Sequence, residues 1–366
     1  MEEKQNIQNG LNAAIDEKND YLARLNEIYK SDFWKLASFY YRLRDKTVLK
    51  YPFKLLKKIK KINIKDLKNS TKFFKFISLK NNSGIQTGKN TKFLKKLSKS
   101  KSASYGNRDI WYAGDDPLVS IIILNYNKAK VTLQCIEEVW KHTKGAKYEI
   151  IVVDNGSELY DKKLLEQANS SCYKLIGLSK NRFFGEGNNI GSENAKGKYL
   201  LFLNNDAFVT PDWLMPLVSA VNSDGTAAAG PKFLYPDGKL QEAGAYINSD
   251  GTALQRGKFD DPDKPEYNSV LEVDYCSAAC LIVRHDLFDK VLGFDLCWEP
   301  AYYEDTDLCF KLKALNKKIM YIPSSKIVHL ENLTSSDDKF PLKLNNIVDI
   351  NREKFVRRYK NILNNK

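Results

Sequence analysis

Residue types that build metal cages and disulfide frameworks are scarce in this sequence. The 366 residues include only three histidines, and the six cysteines form no Cys-x-x-Cys pair. A structural zinc site is not expected, because such sites draw closely spaced cysteine and histidine ligands. Cys276 and Cys280, four residues apart without a partner pair, are interpreted as small buried hydrophobes.

Long apolar runs are also missing. No uninterrupted apolar stretch approaches the ~18 residues of a membrane-spanning helix. The opening segment, MEEKQNIQNG, lacks the apolar core of a secretory signal. We therefore expect a reduced, cytoplasmic chain that does not span a membrane.

Charge is distributed unevenly along a chain of otherwise globular composition. Hydrophobic residues make up 43% and charged residues 28%, and the net charge is +13. Residues 1–110 hold 26 Lys+Arg against 10 Asp+Glu, whereas the remainder holds 32 basic and 35 acidic residues. So basic a segment attracts polyanions, either nucleic acid or an anionic membrane; a solvated leader is the alternative.

The first third of the chain is predicted to be helical and basic. Apolar residues over 11–43 follow three-and-four spacing, which fits a short coiled coil or a helical hairpin. Aromatics alternate with lysines over 51–80, a pattern typical of a helix in a membrane interface. No nucleic-acid-reading motif is present, so no nucleic-acid partner is expected. We predict a helical basic region over 1–80, for membrane binding or self-association, and a linker over 81–116.

From residue 117 onward, apolar strands alternate with helical segments. The runs LVSIIILNYN, YEIIVVDNGS and KYLLFLNND are typical of strands buried on both faces. Strands alternating with helices indicate an α/β fold with a mostly parallel, Rossmann-like sheet and right-handed crossovers.

Three of these predicted strands end in polar residues. The endings are Asn125, the run Asp154-Asn155-Gly156-Ser157, and the run Asn204-Asn205-Asp206. Ligands of open parallel sheets bind beyond the carboxyl ends of the strands, so the three endings suggest one shared crevice. Each ending alone could be an ordinary turn. Together, carboxylates and amides with few basic groups favour a metal-bridged anion over a bare phosphate.

Residues 117–335 resemble a family 2 glycosyltransferase with the GT-A fold, followed by a helical tail over 336–366. The resemblance lies in an ordered set of stretches: VSIIILNYN, EIIVVDNGS, NRFFGEGNN, LFLNND, GPKFLYPDGKLQEAG, GFDLCWEPAYYEDTDLCFKLK and IVHLEN. It implies an inverting, metal-dependent transfer of a sugar from a nucleotide diphosphate donor, UDP- or dTDP-linked, to a glycan or lipid-linked oligosaccharide hydroxyl.

The resemblance also implies roles for individual residues. Asp206, at the position of the DxD-like motif, and His329 would hold Mn²⁺ or Mg²⁺. Asp154 would accept the N3–H of a uracil or thymine ring. Phe183 stands where the family often has a glycine, which puts the shape of its loop in question. The residues expected to bind the nucleotide sugar are Asn125, Asp154, Asn155, Ser157, Asn181, Gly185, Asn189 and Asn205.

The stretch YYEDTDLCFKLKAL is expected to carry the catalytic base. Acidic residues at a helix start are favoured by the helix dipole alone, but the family places its base at this pair. Asp305 is the predicted base, with Glu304 as the alternative. Asp307 is expected to support the helix, and Trp298 and Tyr303 to form a stacking wall for the acceptor sugar.

Three functions are compatible with these observations. The preferred one is a glycosyltransferase of bacterial surface-glycan assembly, rhamnosyltransferase-like and peripheral on the inner face of the plasma membrane through residues 1–110. Formation of a homo-oligomer is left open. A sugar-1-phosphate nucleotidyltransferase is disfavoured, because no Gly-rich, basic loop follows the first strand. A non-catalytic membrane-associated scaffold would need neither Asp206 nor the Glu304-Asp305 pair.

Overall fold

The structure, a computed structural model, describes residues 92–95, 116–168, 172–331 and 344–364. The predictions for the basic N-terminal region, its membrane binding and its self-association lie outside the described residues. Within the predicted linker, residues 92–95 are helical. The ring of Phe93 packs edge-on against Phe208, with 5.6 Å between the centroids. In the described part of the chain, none of the helices combines the length and apolar character needed to cross a membrane.

Four parallel strands and three crossover helices form the first half of the fold. Their order in the sheet is β3-β2-β1-β4, and every neighbouring pair is parallel. Ile122 and Ile151 contribute to the core on one face of this sheet, whereas Ile121 and Ile150 contribute to the core on the other. Burial of both faces explains the continuous apolar runs. The elements are β1 (Val119–Asn125), α1 (Ala129–His142), β2 (Tyr148–Asp154), α2 (Leu159–Ala168), β3 (Lys174–Gly177), α3 (Phe183–Glu193) and β4 (Tyr199–Asn204).

The second half extends the sheet with strands of both directions. The full order is β10-β12-β6-β11-β4-β1-β2-β3; β11 runs antiparallel to β4 and β6, and β12 is parallel to β6. Short 3-10 helices cover Pro265–Tyr267 and Leu296–Trp298. The remaining elements are β5 (Ala207–Val209), α4 (Leu214–Asn222), β6 (Thr226–Leu234), β7 (Leu240–Glu242), β8 (Ala245–Ile247), β9 (Ala253–Gln255), β10 (Leu271–Glu272), β11 (Cys280–Arg284), α5 (His285–Lys290), α6 (Glu304–Ala314), β12 (Lys318–His329), α7 (Leu344–Arg358) and α8 (Lys360–Leu363).

The predicted fold class is confirmed: the domain is α/β, with helices flanking a central sheet. The sheet is more mixed than a mostly parallel one, because β11 and the short strands are antiparallel. The register brings the predicted strand endings together. Asn125 lies opposite Asp154, and Leu124 lies opposite Asn204, so all three polar endings share one edge.

Candidate active site

The polar ends of β1, β2 and β4 are joined by one hydrogen-bond network. Asn125 Nδ2 donates to Asp154 Oδ1 at 3.0 Å and to Ser157 Oγ at 2.9 Å. Thr132 Oγ1, on α1, donates to Asn125 Oδ1 at 2.7 Å and accepts from Asn205 Nδ2 at 3.0 Å. Thr132 was missed by sequence reasoning. Its signal in the sequence is a threonine at helical spacing among the apolar residues of α1, and the structure shows it fully buried.

Within the described part of the chain, one carboxylate oxygen of Asp154 has no partner. Its side chain is 1% exposed, and Oδ2 has no hydrogen-bond partner among the described residues. A buried, unpaired carboxylate oxygen is costly, so it suits a donor that a ligand supplies. The N3–H of uracil or thymine is such a donor.

Two predicted ligand-binding asparagines shape the loop that enters α3. Asn155 Oδ1 accepts from the Arg182 amide at 2.7 Å, and Asn155 Nδ2 donates to the Phe183 carbonyl at 2.9 Å. Asn181 Oδ1 accepts from the Phe183 amide at 2.8 Å. Phe183 has φ +55°, a conformation that favours glycine. The loop thus keeps the backbone shape of a glycine position, because two side chains hold Phe183 in it.

Gly185 and Asn189 have packing roles in this structure. A Cβ on Gly185 would lie 3.4 Å from Phe294 Cβ, and one on Gly187 would lie 2.6 Å from Leu124. These glycines allow α3 to approach the sheet and its covering loop closely. Asn189 uses its Nδ2 and Oδ1 on the carbonyl and amide of Phe294, at 2.8 and 2.9 Å. Both ends of the Asn189 amide thus bind the Phe294 backbone, and its contact with a nucleotide sugar stays a prediction.

Gly156 is required by the turn that follows β2. Its φ is +75°, and a Cβ would lie 2.3 Å from the Lys180 carbonyl carbon. We expect Gly156→Ala to lower the free energy of unfolding by about 2–4 kcal/mol, because a left-handed alanine costs about 1–2 kcal/mol before any clash. Gly225→Ala is the matched control: φ is +85°, and nothing lies within 4 Å. Equal losses for the two variants in urea unfolding would contradict the steric argument.

Asp206 and His329, the predicted metal ligands, lie side by side. The antiparallel pairing of β5 with β12 sets His329 opposite Ala207, the residue after Asp206. His329 Nε2 is 3.3 Å from Asp206 Oδ1; the Asp206 side chain is 6% exposed and that of His329 is 13% exposed. His329 Nδ1 lies 3.0 Å from Gln241 Oε1, which orients the ring and leaves Nε2 toward the carboxylate. Burial lowers the pKa of His329, but the Asp206 carboxylate outweighs burial and leaves that pKa above its ordinary value.

The Asp206–His329 pair fits a divalent cation that is shared with a ligand. Carboxylate oxygen and imidazole nitrogen are ordinary donors for Mn²⁺. Among the described residues, no group of three or more His, Cys, Asp or Glu side chains is arranged to hold a metal alone. A site with few protein ligands matches cations that complete their shell with water and substrate phosphate oxygens.

Asp305 and Glu304, the two candidate bases, differ in their surroundings. Asp305 Oδ2 accepts from the Ala278 amide at 3.2 Å, and Oδ1 accepts from the Thr306 amide at 2.7 Å. Burial nevertheless raises the pKa of Asp305. Glu304 Oε2 is buried and finds no hydrogen-bond partner in the described ranges of the chain. Burial together with nearby Asp305 raises the pKa of Glu304 to about 8. Because backbone donors favour its ionised form, Asp305 is the better candidate for a base at neutral pH.

A cavity of 530 Å³ opens at the start of α6. The acidic residues that line it include Glu304, Asp305 and Glu242. Glu242 is 2% exposed and accepts from the Ser277 amide at 3.2 Å, and burial raises its pKa to about 7. Sequence reasoning missed Glu242; its signal is a Gln-Glu pair within a short strand between apolar residues. The other lining residues are Phe184, Asn204, Thr252, Ala253, Gln255, Tyr275, Ser277, Ala278, Ala279, Tyr302, Tyr303, Thr306, Val348, Asp349 and Arg352.

The raised pKa of Glu304 predicts a pH-dependent loss of stability. The folded pKa of about 8 exceeds the ordinary 4.5, so the folded chain retains a proton that the unfolded chain releases between these values. The free energy of unfolding therefore falls as pH rises through this window. Glu304→Gln cannot ionise. Its free energy of unfolding, taken relative to that of wild type, should therefore rise by at least about 1 kcal/mol between about pH 5 and pH 8. Urea titrations at both pH values measure this, with exposed Glu353→Gln as control; a pH-independent difference would refute it.

The predicted acceptor wall is only partly present. Tyr303 lines the cavity, but its hydroxyl donates to the Gly251 carbonyl at 2.8 Å. Trp298 is 1% exposed, and its ring packs against Phe355 and beneath the Arg358 guanidinium. The prediction that Trp298 stacks on an acceptor is wrong for this structure, because α7 covers that ring.

The family model described as "Glycosyl transferase family 2" matches residues 120–292. This span includes Asn125, Asp154 and Asp206 at the strand ends. The chain carries a family 2 glycosyltransferase domain. The matched span ends before Asp305 and His329, so the comparison with this model does not cover those two residues.

Two of the curated relatives are bacterial proteins named for O-antigen biosynthesis and for rhamnosyl transfer. The chain is 29% identical over 235 residues to "O-antigen biosynthesis protein RfbC" of Myxococcus xanthus, covering 62% of this chain and 18% of that protein. It is 27% identical over 228 residues to "Rhamnosyltransferase WbbL" of Escherichia coli, covering 58% of this chain and 83% of WbbL. The match covers 27% of a relative from Sinorhizobium fredii and 42% of "Glycosyltransferase AglE" from Haloferax volcanii, less than half of either protein.

A solved glycosyltransferase shares the fold. The structure titled "Crystal structure of GalNAc-T7 with UDP, GalNAc and Mn2+" superposes with a TM-score of 0.50 at 17% identity. The match covers 58% of this chain and 44% of that one. The GT-A architecture expected from the sequence is thereby confirmed.

Proposed function

We propose that this glycosyltransferase moves a sugar from a UDP- or dTDP-linked donor to a glycan hydroxyl, with inversion at the anomeric carbon and with the help of Mn²⁺ or Mg²⁺. The observation that carries the proposal is the joint placement of three carboxylates. The unpaired Asp154 oxygen suits a pyrimidine, the Asp206–His329 pair suits a cation on the diphosphate, and Asp305 lines an adjoining cavity.

In the proposed reaction, the acceptor oxygen forms a bond to the anomeric carbon as the bond from that carbon to the diphosphate breaks. The diphosphate oxygen keeps the electron pair, and Asp305 takes the proton of the acceptor hydroxyl. Attack from the face opposite the leaving group inverts the configuration. A cation held by Asp206 and His329 would neutralise negative charge on the leaving nucleotide.

The acceptor is proposed to be a bacterial surface glycan or its lipid-linked precursor. Supporting this are the likeness to RfbC and WbbL and the net charge of +16 over residues 1–110. Contact of those residues with an anionic membrane remains a prediction from the sequence.

The test incubates the full chain with UDP- and dTDP-sugars, Mn²⁺ and short glycan acceptors, and follows release of the nucleoside diphosphate. Proton NMR of the product reads the anomeric configuration. From an α-linked donor, the proposal expects a β-linked product. An α-linked product from that same donor would contradict inversion. Pyrophosphate release from UTP or dTTP with a sugar 1-phosphate would instead indicate a nucleotidyltransferase.

A further inference from the structure

Helix α7 presents one buried polar residue on an apolar face. Its inward residues recur every fourth position, at Ile347, Asn351 and Phe355, and Tyr359 directly after the helix continues this spacing. All four are at most 9% exposed. Asn351 is 1% exposed. A buried amide in an apolar stripe is costly unless it is hydrogen-bonded, so its partners indicate what it does.

The partners of Asn351 are backbone carbonyls of the loop that enters the catalytic helix. Asn351 Nδ2 lies 2.8 Å from the Trp298 carbonyl oxygen, 2.9 Å from that of Ala301 and 3.1 Å from that of Tyr302. One turn later, Lys354 Nζ donates to the Cys297 carbonyl at 3.0 Å. Helix α7 therefore supplies donors to four carbonyls in the six residues 297–302.

That loop holds an unfavourable backbone shape immediately before the base. Tyr302 and Tyr303 both have φ +73°, in the left-handed region, and α6 begins at the next residue. Two consecutive non-glycine residues in this region are sterically unfavourable and persist only where their surroundings hold them. Asp305 is two residues beyond, so the position of its carboxylate depends on this turn.

A second set of contacts fixes α7 to α6 itself. Arg358 donates to Asp307 Oδ1 at 2.9 Å, and the Tyr359 hydroxyl donates to the same oxygen at 2.6 Å. Asp307 is fully buried and also lies 3.7 Å from Lys311 on its own helix. The loop and the helix are thus tied to α7 at two independent points.

We infer that Asn351 is a positioning residue for transfer: by binding the carbonyls of Trp298, Ala301 and Tyr302, it sets the turn that aims Asp305 at the acceptor. This inference rests on the proposed function, in which Asp305 is the base. It assigns a role to the segment after residue 343, which lies beyond the family match at 120–292. A misplacement of about 1 Å at a reacting group can lower a rate about 100-fold, which sets the expected effect.

The test compares Asn351→Ala with Phe355→Leu, a change in the same stripe that leaves the four carbonyls bonded. Asn351→Ala is expected to lower kcat by about 10- to 100-fold. Donor affinity should stay near wild type, because Asn351 contacts the loop before Asp305 and not the strand ends that are proposed to bind the nucleotide. Asn351→Ser, which keeps one donor, should recover part of the rate. Equal kcat losses in Asn351→Ala and Phe355→Leu, or a wild-type kcat in Asn351→Ala, would overturn the inference.

Hydrogen exchange separates this inference from the proposed function. Amides of residues 302–306 should exchange faster in Asn351→Ala than in wild type, and not in Phe355→Leu. If the wild-type chain transfers no sugar from any donor, the proposed function fails, while faster exchange still supports the role of Asn351 in holding the turn. Unchanged exchange overturns that role whatever the activity.

Discussion

Replacing Asp305 by asparagine will lower kcat for sugar transfer by roughly 10²- to 10⁴-fold, the range that a general base contributes. The affinity for the donor nucleotide should change little, because Asp305 lines the cavity at the start of α6 and not the strand ends that hold Asp154. Asparagine keeps the shape, but its single carbonyl oxygen can accept from only one of the Ala278 and Thr306 amides. Urea unfolding of the variant is therefore measured beside kcat, to separate the missing base from a changed fold.

Two further variants make this result specific. Glu304→Gln should lower kcat much less than Asp305→Asn, since Glu304 has a pKa of about 8 and is largely protonated at neutral pH. Asp289→Asn changes a carboxylate that is 70% exposed and should leave kcat unchanged. If Glu304→Gln proves the more damaging change, the base is Glu304 and the assignment made here is wrong.

Asp206→Ala will lower kcat/KM for the donor by about 10²-fold or more, because a bound cation supplies several kcal/mol of stabilisation to the developing charge. The remaining rate should no longer depend on the Mn²⁺ concentration. Removing Asp206 also takes away the carboxylate that faces His329 Nε2 at 3.3 Å, so one histidine would remain as the only protein ligand of the proposed pair.

Steady-state rates over a series of Mn²⁺ concentrations measure this effect. Asp224→Ala, at an exposed carboxylate, is the control and should keep the wild-type Mn²⁺ dependence. His329→Gln should weaken the dependence without abolishing it, because Asp206 remains. A wild-type response to Mn²⁺ in Asp206→Ala would remove Asp206 from the metal site.

The sequence was sufficient to predict the strand endings and their meeting at one edge. Apolar runs buried on both faces identify parallel strands, and parallel register brings their carboxyl ends together, as Asn125 opposite Asp154 demonstrates. The Glu304-Asp305 pair could be placed at a helix start because helix-forming periodicity follows it directly. These features depend on the local residue pattern and on the geometry of parallel sheets.

Other features depend on contacts that no local pattern reveals. Asn189 bonds Phe294 across 105 residues, so its packing role could not be separated from ligand binding in a Gly/Asn-rich loop. Trp298 is buried because α7 returns over it, and Asn351 reaches it across 53 residues. The antiparallel direction of β11 likewise follows from the path of the chain and not from its apolar composition.

The central claim is that the strand ends bind a pyrimidine nucleotide diphosphate through a cation. Calorimetric titration of UDP and of dTDP into the full chain, with and without Mn²⁺, tests it most directly. We predict binding that requires Mn²⁺, is lost in Asp206→Ala, and is weakened in Asp154→Asn, whose amide NH₂ would face the N3–H. Absence of binding to both nucleotides, with and without Mn²⁺, would contradict the account.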